Sequence, residues 1–341
     1  MVSFTKLFTL GLIAALTEAS SKRGAAYNDA SLVKTLTSGK STPVSWSYNW
    51  AQEADGTMPS GVKFVPMLWG TGSVSTWTSA VEKALSGGST HILGFNEPDM
   101  TSQADMSASS AATLYKKYIT PYGDRATLIS PAVTSSENSG QGLSWFKTFM
   151  GDCKSCNISA LAVHWYGGSF AQLESFMTEA ISTAGQYDID EVWLTEFALD
   201  ADTNGISDAA TAKTFLEKAI DWLDSHPKVG GYAYFYTANG YLLTSGSVNS
   251  VGDVYVASSS SGSGSGSGSS SSSSTKSTKT TTTTKTKTAT ATKTAKATSA
   301  KTTEAKTTAT KAATTSKVVK TVTSTKKVTK TVTASGAAKT A

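Results

Sequence analysis

The stretch HILGFNEPD, His91 to Asp99, decides the fold of this chain. Its mostly apolar residues run directly into Asn96, Glu97 and Pro98, so a buried strand ends by presenting a carboxylate. Proline lacks a backbone donor and stops strand pairing. The stretch therefore indicates a strand whose carboxyl end carries a functional side chain.

Seven further runs of the same kind are spaced along the chain. By number they are residues 24–28, 44–50, 63–70, 127–133, 160–167, 191–198 and 231–237. Amphipathic stretches with helical spacing lie between most of them, for example 75–85, 109–123 and 208–227. In the last, Asp208 is a predicted N-cap and Pro227 a stop signal. Eight near-continuous apolar strands joined by helices predict an α/β fold, a single (β/α)8 TIM barrel.

A doubly wound open sheet is the alternative architecture. Such sheets usually carry a glycine-rich phosphate loop after their first strand. The nearest candidate here, GTGSVS at residues 70–75, lacks the third glycine and follows the third predicted strand. The barrel is therefore favoured.

The charge is divided unevenly along the chain. Residues 1–257 hold 15 basic and 24 acidic residues, whereas 258–341 hold 15 Lys and a single acid, so the net charge of +5 hides an acidic domain. Nucleic-acid binding is disfavoured, because it requires Lys and Arg clustered on a folded face. Residues 258–341 are almost wholly Ser, Thr, Gly, Ala and Lys, which predicts a disordered, O-glycosylated low-complexity tail. Its lysines are expected to contact acidic wall polymers; an inert linker is the alternative.

Residues 1–19 are predicted to be a signal peptide. Lys6 precedes the short apolar run Leu7–Leu16, and small residues near Ala19 suit cleavage. That run is too short to span a bilayer, although an N-terminal membrane anchor is the alternative. The C-terminal residues lack the hydrophobic tail of a GPI signal. We therefore expect a secreted, extracellular or cell-wall protein.

The next residues predict where the mature domain begins. Residues 20–23 are interpreted as a short pro-segment that ends in the dibasic pair Lys22-Arg23. The catalytic domain is then predicted to span residues 24–257.

In a (β/α)8 barrel the chemistry lies at the carboxyl ends of the strands. Here those ends are unusually aromatic and polar: Tyr27 and Asn28, Tyr48 to Trp50, Trp69, Asn96 and Glu97, His164 to Tyr166, Glu196, and Tyr234 to Tyr236. Aromatic faces pack on the C–H face of a sugar, and amides bind its hydroxyls. The pattern predicts a carbohydrate site, with several of these aromatic residues serving only the core.

Glu97 has a counterpart in WLTEFA, residues 193–198, where Glu196 ends the seventh predicted strand. Strand alternation predicts that Leu194 and Glu196 share one face. Carboxylates on the fourth and seventh strands would face each other across the barrel mouth. Glycosidic cleavage needs such a pair, one acid for the leaving oxygen and one carboxylate that attacks or directs water. A salt bridge or a helix cap would explain a single glutamate at a strand end. Two glutamates at the ends of these two strands are harder to explain as salt bridges or caps.

The motifs KRGAAYN, VSWSYNW, FVPMLWG, HILGFNEPD, AVHWYG and WLTEFA occur in this order over residues 24–256. Together they resemble the fungal Asl1-like glycosyl hydrolases, glycoside hydrolase family 128 of clan A. The resemblance implies a compact (β/α)8 barrel that cleaves β-1,3-glucan with retention of the anomeric configuration. It also implies a role in the organisation of the fungal cell wall. It implies Glu97 as acid/base and Glu196 as nucleophile.

The resemblance also implies the residues that bind the sugar. Asn96 matches the amide that contacts the 2-hydroxyl, and His164 and Tyr166 match residues that line the cleavage subsite. Tyr166 would also donate a hydrogen bond to Glu196. The implied stacking platforms are Trp69, Trp165, Tyr234 and Tyr236. In clan A the eighth strand often ends in Trp, whereas this chain has Tyr in AYFYTANG.

The proposed roles carry geometric expectations. Glu97 has to be protonated and Glu196 ionised, so we expect Glu97 to be the less solvated of the two. Carboxyl groups of retaining glycosidases lie about 5–5.5 Å apart, and those of inverting enzymes lie further apart. The resemblance predicts the shorter separation.

Other chemistries are disfavoured. The chain has three His (His91, His164 and His226) without an HExxH motif or ligand-spaced cluster, and it lacks GxSxG. We therefore expect neither a metal nor a cofactor. Two rivals remain: a non-hydrolytic wall protein that binds β-glucan, and a glucan-remodelling transglycosylase. Expected partners are β-1,3-glucan and, through the tail, wall polymers. Nucleic-acid binding and a membrane span are not expected. The protein is expected to be a monomer.

Cys153 and Cys156 form the motif CKSC. In an exported chain they predict a small structural disulfide that closes a loop; redox work in a thioredoxin-like fold is the alternative. The NIS sequon at Asn157 predicts N-glycosylation beside that loop.

Overall fold

The computed structural model describes residues 21–39 and 42–258. The predicted signal peptide lies outside the described residues, as does the predicted tail apart from Ser258. Within the described ranges no helix is both long enough and apolar enough to cross a bilayer.

Strands and helices alternate along most of the described chain. The main strands are β1 (Arg23–Ala26), β2 (Val44–Tyr48), β3 (Lys63–Phe64), β4 (His91–Ile92), β5 (Thr127–Leu128), β6 (Ala160–Gly167), β7 (Glu191–Leu199) and β8 (Val229–Tyr234). The helices are α1 (Ala30–Leu36), α2 (Val74–Ser86), α3 (Ala108–Tyr118), α4 (Gly142–Asp152), α5 (Phe170–Gly185), α6 (Ala209–Ser225) and α7 (Ser250–Val256). A hairpin, β9 (Leu243–Thr244) and β10 (Ser247–Val248), follows β8, and short 3-10 turns occupy Thr71–Ser73, Thr120–Tyr122 and Asp200–Asp202.

The fold is α/β with parallel strand pairing. Six strands form a sheet in the order β3-β2-β1-β8-β7-β6, and β4 pairs with β5 in a separate ladder. Backbone hydrogen bonds continue beyond these short strands: Leu93 donates to Pro66 O at 2.9 Å, and Ser130 donates to Ala160 O at 2.9 Å. Pro66 and Pro131 lack an N–H, which explains why β3 and β5 are shorter than their predicted runs.

Two apolar cores lie on opposite sides of the strands. A larger one packs between strands and helices. The smaller one, the inner cluster, draws side chains from all eight strand runs: Ala26, Trp46, Tyr48, Val65, Met67, Leu93, Ile129, Ala132, Ala160, Ala162, Trp193 and Ala233. At Gly94 a Cβ would lie 2.6 Å from the nitrogen of Pro131, so glycine permits this close approach of two runs. The carboxyl ends of the strands therefore gather above the inner cluster.

The predicted facing of β7 is wrong in one respect. Leu194 packs in the outer core and Trp193 in the inner cluster, yet Glu196 also points inward. The pairing with β6 shifts here, because Val163 is opposite Leu194 whereas the next residue, His164, is opposite Glu196. Such an irregularity re-aims the following side chain, a common role of bulges next to active sites.

The longest predicted helix forms as expected. Asp208 caps α6 by accepting from the backbone N–H of Ala210 and Thr211. The helix ends at Ser225, two residues before Pro227. Its buried face supports the outer core behind β7 and β8.

The first strand begins one residue before the predicted start of the domain at residue 24. Arg23 belongs to β1 and is 1% exposed. Its guanidinium bonds Asp224 at 2.7 Å, and it also donates to Tyr255 O at 2.8 Å. Lys22 donates to three carbonyls at the end of α6, including His226 O at 2.6 Å. The described fold therefore includes both residues of the dibasic pair, and cleavage after Arg23 would remove this anchor.

Replacing Arg23 with methionine is expected to lower the free energy of unfolding by about 3 kcal/mol, because a buried ion pair loses one partner. Urea denaturation measures this change. Lys228→Met is the matched control, since its ion pair with Asp190 is exposed and should leave the denaturation midpoint unchanged. Equal midpoints for Arg23→Met and the wild type would contradict the anchoring role.

The two cysteines follow α4. Cys153 and Cys156 are buried and joined in a disulfide that closes a tight loop. Asn157 follows directly and is exposed, just before β6 begins. This is the amino end of the strand, so a glycan here would lie at the edge of the sheet opposite the carboxyl ends.

Candidate active site

A cavity of about 420 Å³ lies where the strand ends gather. Its lining is formed by Asn28, Trp50, Trp69, Asn96, Glu97, Gln103, Tyr166, Glu196 and Phe235. Tyr166 also borders a larger cavity of about 920 Å³ between α4 and α5. Neither Glu97 nor Glu196 lines that cavity. The smaller cavity is the candidate site, because it brings the two predicted glutamates together.

Glu97 is held in an uncommon backbone conformation. Its φ is 41°, in the left-handed region that non-glycine residues rarely adopt. Its N–H donates to Ala132 O at 2.8 Å, and the preceding N–H, of Asn96, donates to Trp69 O at 2.9 Å. Strain of this kind persists only where the surroundings impose it and clusters at functional sites. Here it turns the carboxylate of Glu97 into the cavity.

The residues after Glu97 fix this turn. Asp99 is 8% exposed and accepts from the hydroxyl of Thr134 at 2.6 Å and the N–H of Gly142 at 2.8 Å. It therefore ties the Glu97 turn to the loop that leads into α4. This explains a polar residue that sequence analysis left without a role.

Glu196 is held by a donor on each carboxylate oxygen. The indole N–H of Trp50 donates to Oε1 at 2.6 Å, and the hydroxyl of Tyr166 donates to Oε2 at 2.6 Å. The Tyr166 contact is the one that the family resemblance implied. Burial and the charge of Glu196 raise the pKa of the Tyr166 hydroxyl far above 10, so it remains a donor.

His164 bridges the two carboxylates. Its Nδ1 lies 2.8 Å from Glu97 Oε1 and 3.3 Å from Glu196 Oε1. One donor atom from each of the three side chains lies within 4.8 Å of the others. The side chain of Glu97 is 13% exposed and that of Glu196 is 7% exposed. The expectation that Glu97 is the less solvated carboxylate is therefore wrong.

The charge state of His164 follows from these contacts. Burial lowers its pKa, but the carboxylates of Glu196 and Glu97 outweigh burial, so the pKa of His164 is raised above its usual 6.5. The imidazolium form then donates between two negative groups. The protonated His164 therefore stabilises the folded protein. This contribution is fully present below pH 6.5 and is lost as the pH rises through the raised pKa. Each unit by which the pKa is raised corresponds to about 1.4 kcal/mol of folding free energy.

Titration of the three histidines by NMR is expected to separate His164 from the others. Burial lowers the pKa of both His91 and His226, so their midpoints should fall below 6.5. The midpoint of His164 should lie above 6.5 and should fall in Glu97→Gln, which removes one carboxylate. His91→Gln and His226→Gln assign the remaining signals. A His164 midpoint below the other two would contradict the bridged arrangement.

Besides Tyr166, two predicted sugar-binding residues line the cavity beside the glutamates. Asn96 is buried, and its Oδ1 has no hydrogen-bond partner among the described residues. Its Nδ2 donates to Gln103 at 3.3 Å. Trp69 is half-buried and offers an aromatic wall. An unsatisfied buried amide oxygen needs a partner, which a sugar hydroxyl would supply.

Three predicted stacking platforms do not line this cavity; for Trp165 and Tyr234 the prediction is wrong because both rings are buried in the core, whereas for Tyr236 it stays a prediction. Trp165 is 3% exposed and stacks on Phe215 of α6, because strand alternation turns it outward. Tyr234 is 1% exposed and packs in the outer core. Tyr236 is half-buried against Trp50, outside the cavity lining.

Four lining residues were missed as site residues: Asn28, Trp50, Gln103 and Phe235. Asn28, Trp50 and Phe235 lie at strand ends, so the strand-end rule includes them without distinguishing them from core residues. Gln103 lies in the loop after Glu97, where no sequence signal pointed to it.

Among residues 21–39 and 42–258, one group of side chains could hold a metal ion. It consists of Glu97, His164 and Glu196. The sequence showed no ligand-spaced cluster, because these residues come from three separate strand ends. Their donor atoms suit a divalent cation as well as a proton. An acid–base role accounts for the contacts of His164 with Glu97 and Glu196.

Comparison with known proteins places this site in a family. A family model described as glycosyl hydrolase catalytic core matches residues 24–255. Alkali-sensitive linkage protein 1 of Schizosaccharomyces pombe is 31% identical over 229 residues, 63% of this chain. The matched region spans 40% of that relative's length.

Solved structures give the same assignment. A subgroup III curdlan-specific exo-β-1,3-glucanase of family 128 from Blastomyces gilchristii, in complex with glucose, is 39% identical. The alignment covers 70% of this chain and 98% of the glucanase, with a TM-score of 0.64. A subgroup II endo-β-1,3-glucanase from Sorangium cellulosum is 31% identical, with coverage of 69% and 97% and a TM-score of 0.58. This chain therefore belongs to the glycosyl hydrolase catalytic core family, as an Asl1-like glycoside hydrolase of family 128.

Proposed function

We propose that this domain hydrolyses β-1,3-glucan with retention of anomeric configuration, with Glu196 as nucleophile and Glu97 as acid/base. The observation that carries the proposal is the separation of less than 4.8 Å between oxygens of the two carboxylates. Retaining enzymes place the carboxyl groups about 5–5.5 Å apart, whereas inverting enzymes leave about 6.5–9.5 Å for a water molecule. The related β-1,3-glucanases support the substrate class.

In the first step Glu196 attacks the anomeric carbon while Glu97 gives its proton to the leaving oxygen. The glycosidic bond breaks, the leaving chain departs with its hydroxyl restored, and a glycosyl ester forms on Glu196. Trp50 and Tyr166 hold the two oxygens of Glu196, so the carboxylate meets the sugar in a fixed plane. This preorganisation removes the need to reorient it during the reaction.

In the second step Glu97 accepts a proton from water, which attacks the anomeric carbon and releases Glu196. The imidazole of His164 is 2.8 Å from Glu97 Oε1, so its N–H stabilises the anionic form of Glu97 that acts as base. The oxygen of Asn96 and the ring of Trp69 are available to the sugar in both steps.

Incubation with laminarin and linear β-1,3-gluco-oligosaccharides tests the activity. New reducing ends that disappear in Glu196→Gln are the expected result. Retarded migration without products would instead support a non-hydrolytic glucan-binding wall protein. Products longer than the supplied oligosaccharide would support a remodelling transglycosylase, which uses the same two carboxylates with a sugar as acceptor.

We propose further that the eight strand runs close into a (β/α)8 barrel. The inner cluster, with side chains from every run, supports this arrangement. We also propose that the protein is exported to the fungal cell wall, with glucan reaching the site above the barrel mouth. The predicted signal peptide, the Asn157 sequon and the Lys-rich tail support export and wall contact.

A further inference from the structure

Trp50 contacts the proposed nucleophile from a strand that the glutamates do not share. It lies two residues after the end of β2, and its indole N–H donates to Glu196 Oε1 at 2.6 Å. We propose that Trp50 is a positioning residue whose indole N–H fixes the orientation of the Glu196 carboxylate. The inference rests on the proposed retaining hydrolysis.

The indole is held in place from two sides. The backbone of Trp50 has φ of 56°, a left-handed conformation that is unfavourable for a bulky residue unless its surroundings impose it. The turn is braced because Ala51 donates to Asn49 Oδ1 at 3.2 Å and Met67 donates to Ala51 O at 3.0 Å. The backbone of this turn thus sets where the indole points.

Aromatic neighbours restrict the ring itself. Its centroid lies 5.1 Å from that of Tyr48 and 6.0 Å from those of Phe235 and Tyr236. Edge and tilted contacts of this kind fix a ring in one orientation. The hydroxyl of Tyr48 in turn donates to Thr195 O at 2.8 Å, next to Glu196 on β7. The indole and the carboxylate are therefore positioned by one connected packing unit.

The orientation of Glu196 depends on such donors. Its side chain is 7% exposed, and within the described ranges its ion-pair partner is His164, with no Lys or Arg. An indole N–H is a donor that does not titrate. It therefore acts at every pH, whereas the cation of His164 is lost as the pH rises. With Tyr166 on the other oxygen, the two donors also prevent rotation of the carboxylate.

The groups that face Glu196 come from several elements. They are His164 and Tyr166 on β6, Glu97 after β4, and Tyr48 on β2. Trp50→Phe leaves all four in place and removes the N–H. A lower kcat at unchanged KM in this variant then reports the loss of that donor.

The expected result for Trp50→Phe is a kcat about 10- to 100-fold lower, as for loss of a hydrogen bond to a charged group. KM should stay within about twofold, since the lost donor contacts the carboxylate of Glu196. Incorporation of 3-benzothienylalanine at position 50 keeps the bicyclic ring without the N–H and should give the same change. Thermal denaturation checks that both variants are folded.

Trp69→Phe is the matched control. Trp69 lines the same cavity, and no hydrogen bond from its indole to either carboxylate is found. Its substitution should raise KM more than it lowers kcat. Wild-type kcat in Trp50→Phe, in an enzyme that hydrolyses glucan, would overturn the inference and leave the proposed function standing.

The indole signal gives a readout that does not need activity. In a ¹H–¹⁵N spectrum the side-chain proton of Trp50 should resonate downfield, as expected for a short hydrogen bond to a carboxylate, and should move upfield in Glu196→Gln. Trp50→Phe assigns the resonance. If the wild type does not cleave glucan, the proposed function fails and this shift alone decides the role of Trp50. A resonance that does not move in Glu196→Gln would overturn that role.

Discussion

Replacing Glu196 with glutamine is expected to lower kcat on β-1,3-gluco-oligosaccharides by about 10⁴-fold or more, as for loss of a nucleophile. Glutamine keeps the shape, but its single carbonyl oxygen can accept from only one of Trp50 and Tyr166, because its amide nitrogen is a donor. Its amide carries no charge, so it cannot form the glycosyl ester. Release of reducing ends from laminarihexaose measures the change, and unchanged retention of the oligosaccharide in affinity electrophoresis shows that the site still binds.

Glu191→Gln is the matched control for this experiment. Glu191 lies on the same strand but at its amino end, where it accepts from Trp193 at 3.2 Å. Its substitution should leave kcat within about twofold, as expected for a residue outside the site. Glu196→Gln activity above a hundredth of the wild-type value would contradict the nucleophile assignment.

Replacing Glu97 with alanine is expected to lower kcat/KM on natural oligosaccharides by about 10²- to 10⁴-fold, the usual contribution of a general acid. A substrate with a dinitrophenyl leaving group needs no proton, so its first step should be spared. The glycosyl ester on Glu196 should then accumulate, because water lacks a base. A burst of dinitrophenolate followed by slow turnover measures this behaviour.

Azide distinguishes the roles of the two glutamates. In Glu97→Ala, azide should restore turnover by attacking the ester on Glu196, which gives a β-glycosyl azide. In Glu196→Ala, azide should replace the missing nucleophile and give an α-glycosyl azide. The opposite products would show that the two roles are exchanged. Glu82→Ala, which removes an exposed partner of Arg125, should behave as the wild type in both assays.

The sequence predicted the fold well wherever local patterns determine it. The runs of β6 and β7 are long because they contain no proline, and the cap at Asp208 places the start of α6. The pairing of Glu97 with Glu196 was also predictable. Parallel strands bring their carboxyl ends to one edge, so two strand-end glutamates meet without any signal from neighbouring residues.

The facing of individual side chains was less predictable. A one-residue irregularity in β7 lets Trp193 and Glu196 both point inward, which alternation does not allow. Trp165 and Tyr234 have the composition of stacking platforms, but both turn towards the helices and pack there. Composition alone does not reveal on which face of a strand an aromatic ring lies.

Long-range contacts were not predictable from one sequence. The bond from Trp50 to Glu196 joins residues 146 positions apart, and the ion pair of Arg23 with Asp224 joins residues 201 apart. Neither has a local signature, because the partners meet only when the whole sheet has formed. For that reason Arg23 resembled a processing signal, although it anchors the end of the fold.

The most direct test of the account is the anomeric configuration of the first product. Laminarihexaose is digested in an NMR tube, and the anomeric proton of the newly formed reducing end is followed from the first minute. The account predicts that the β-anomer appears first and only later mutarotates, because two displacements through Glu196 preserve the configuration. If the α-anomer appears first, water attacks directly, and the assignment of Glu196 as nucleophile is contradicted.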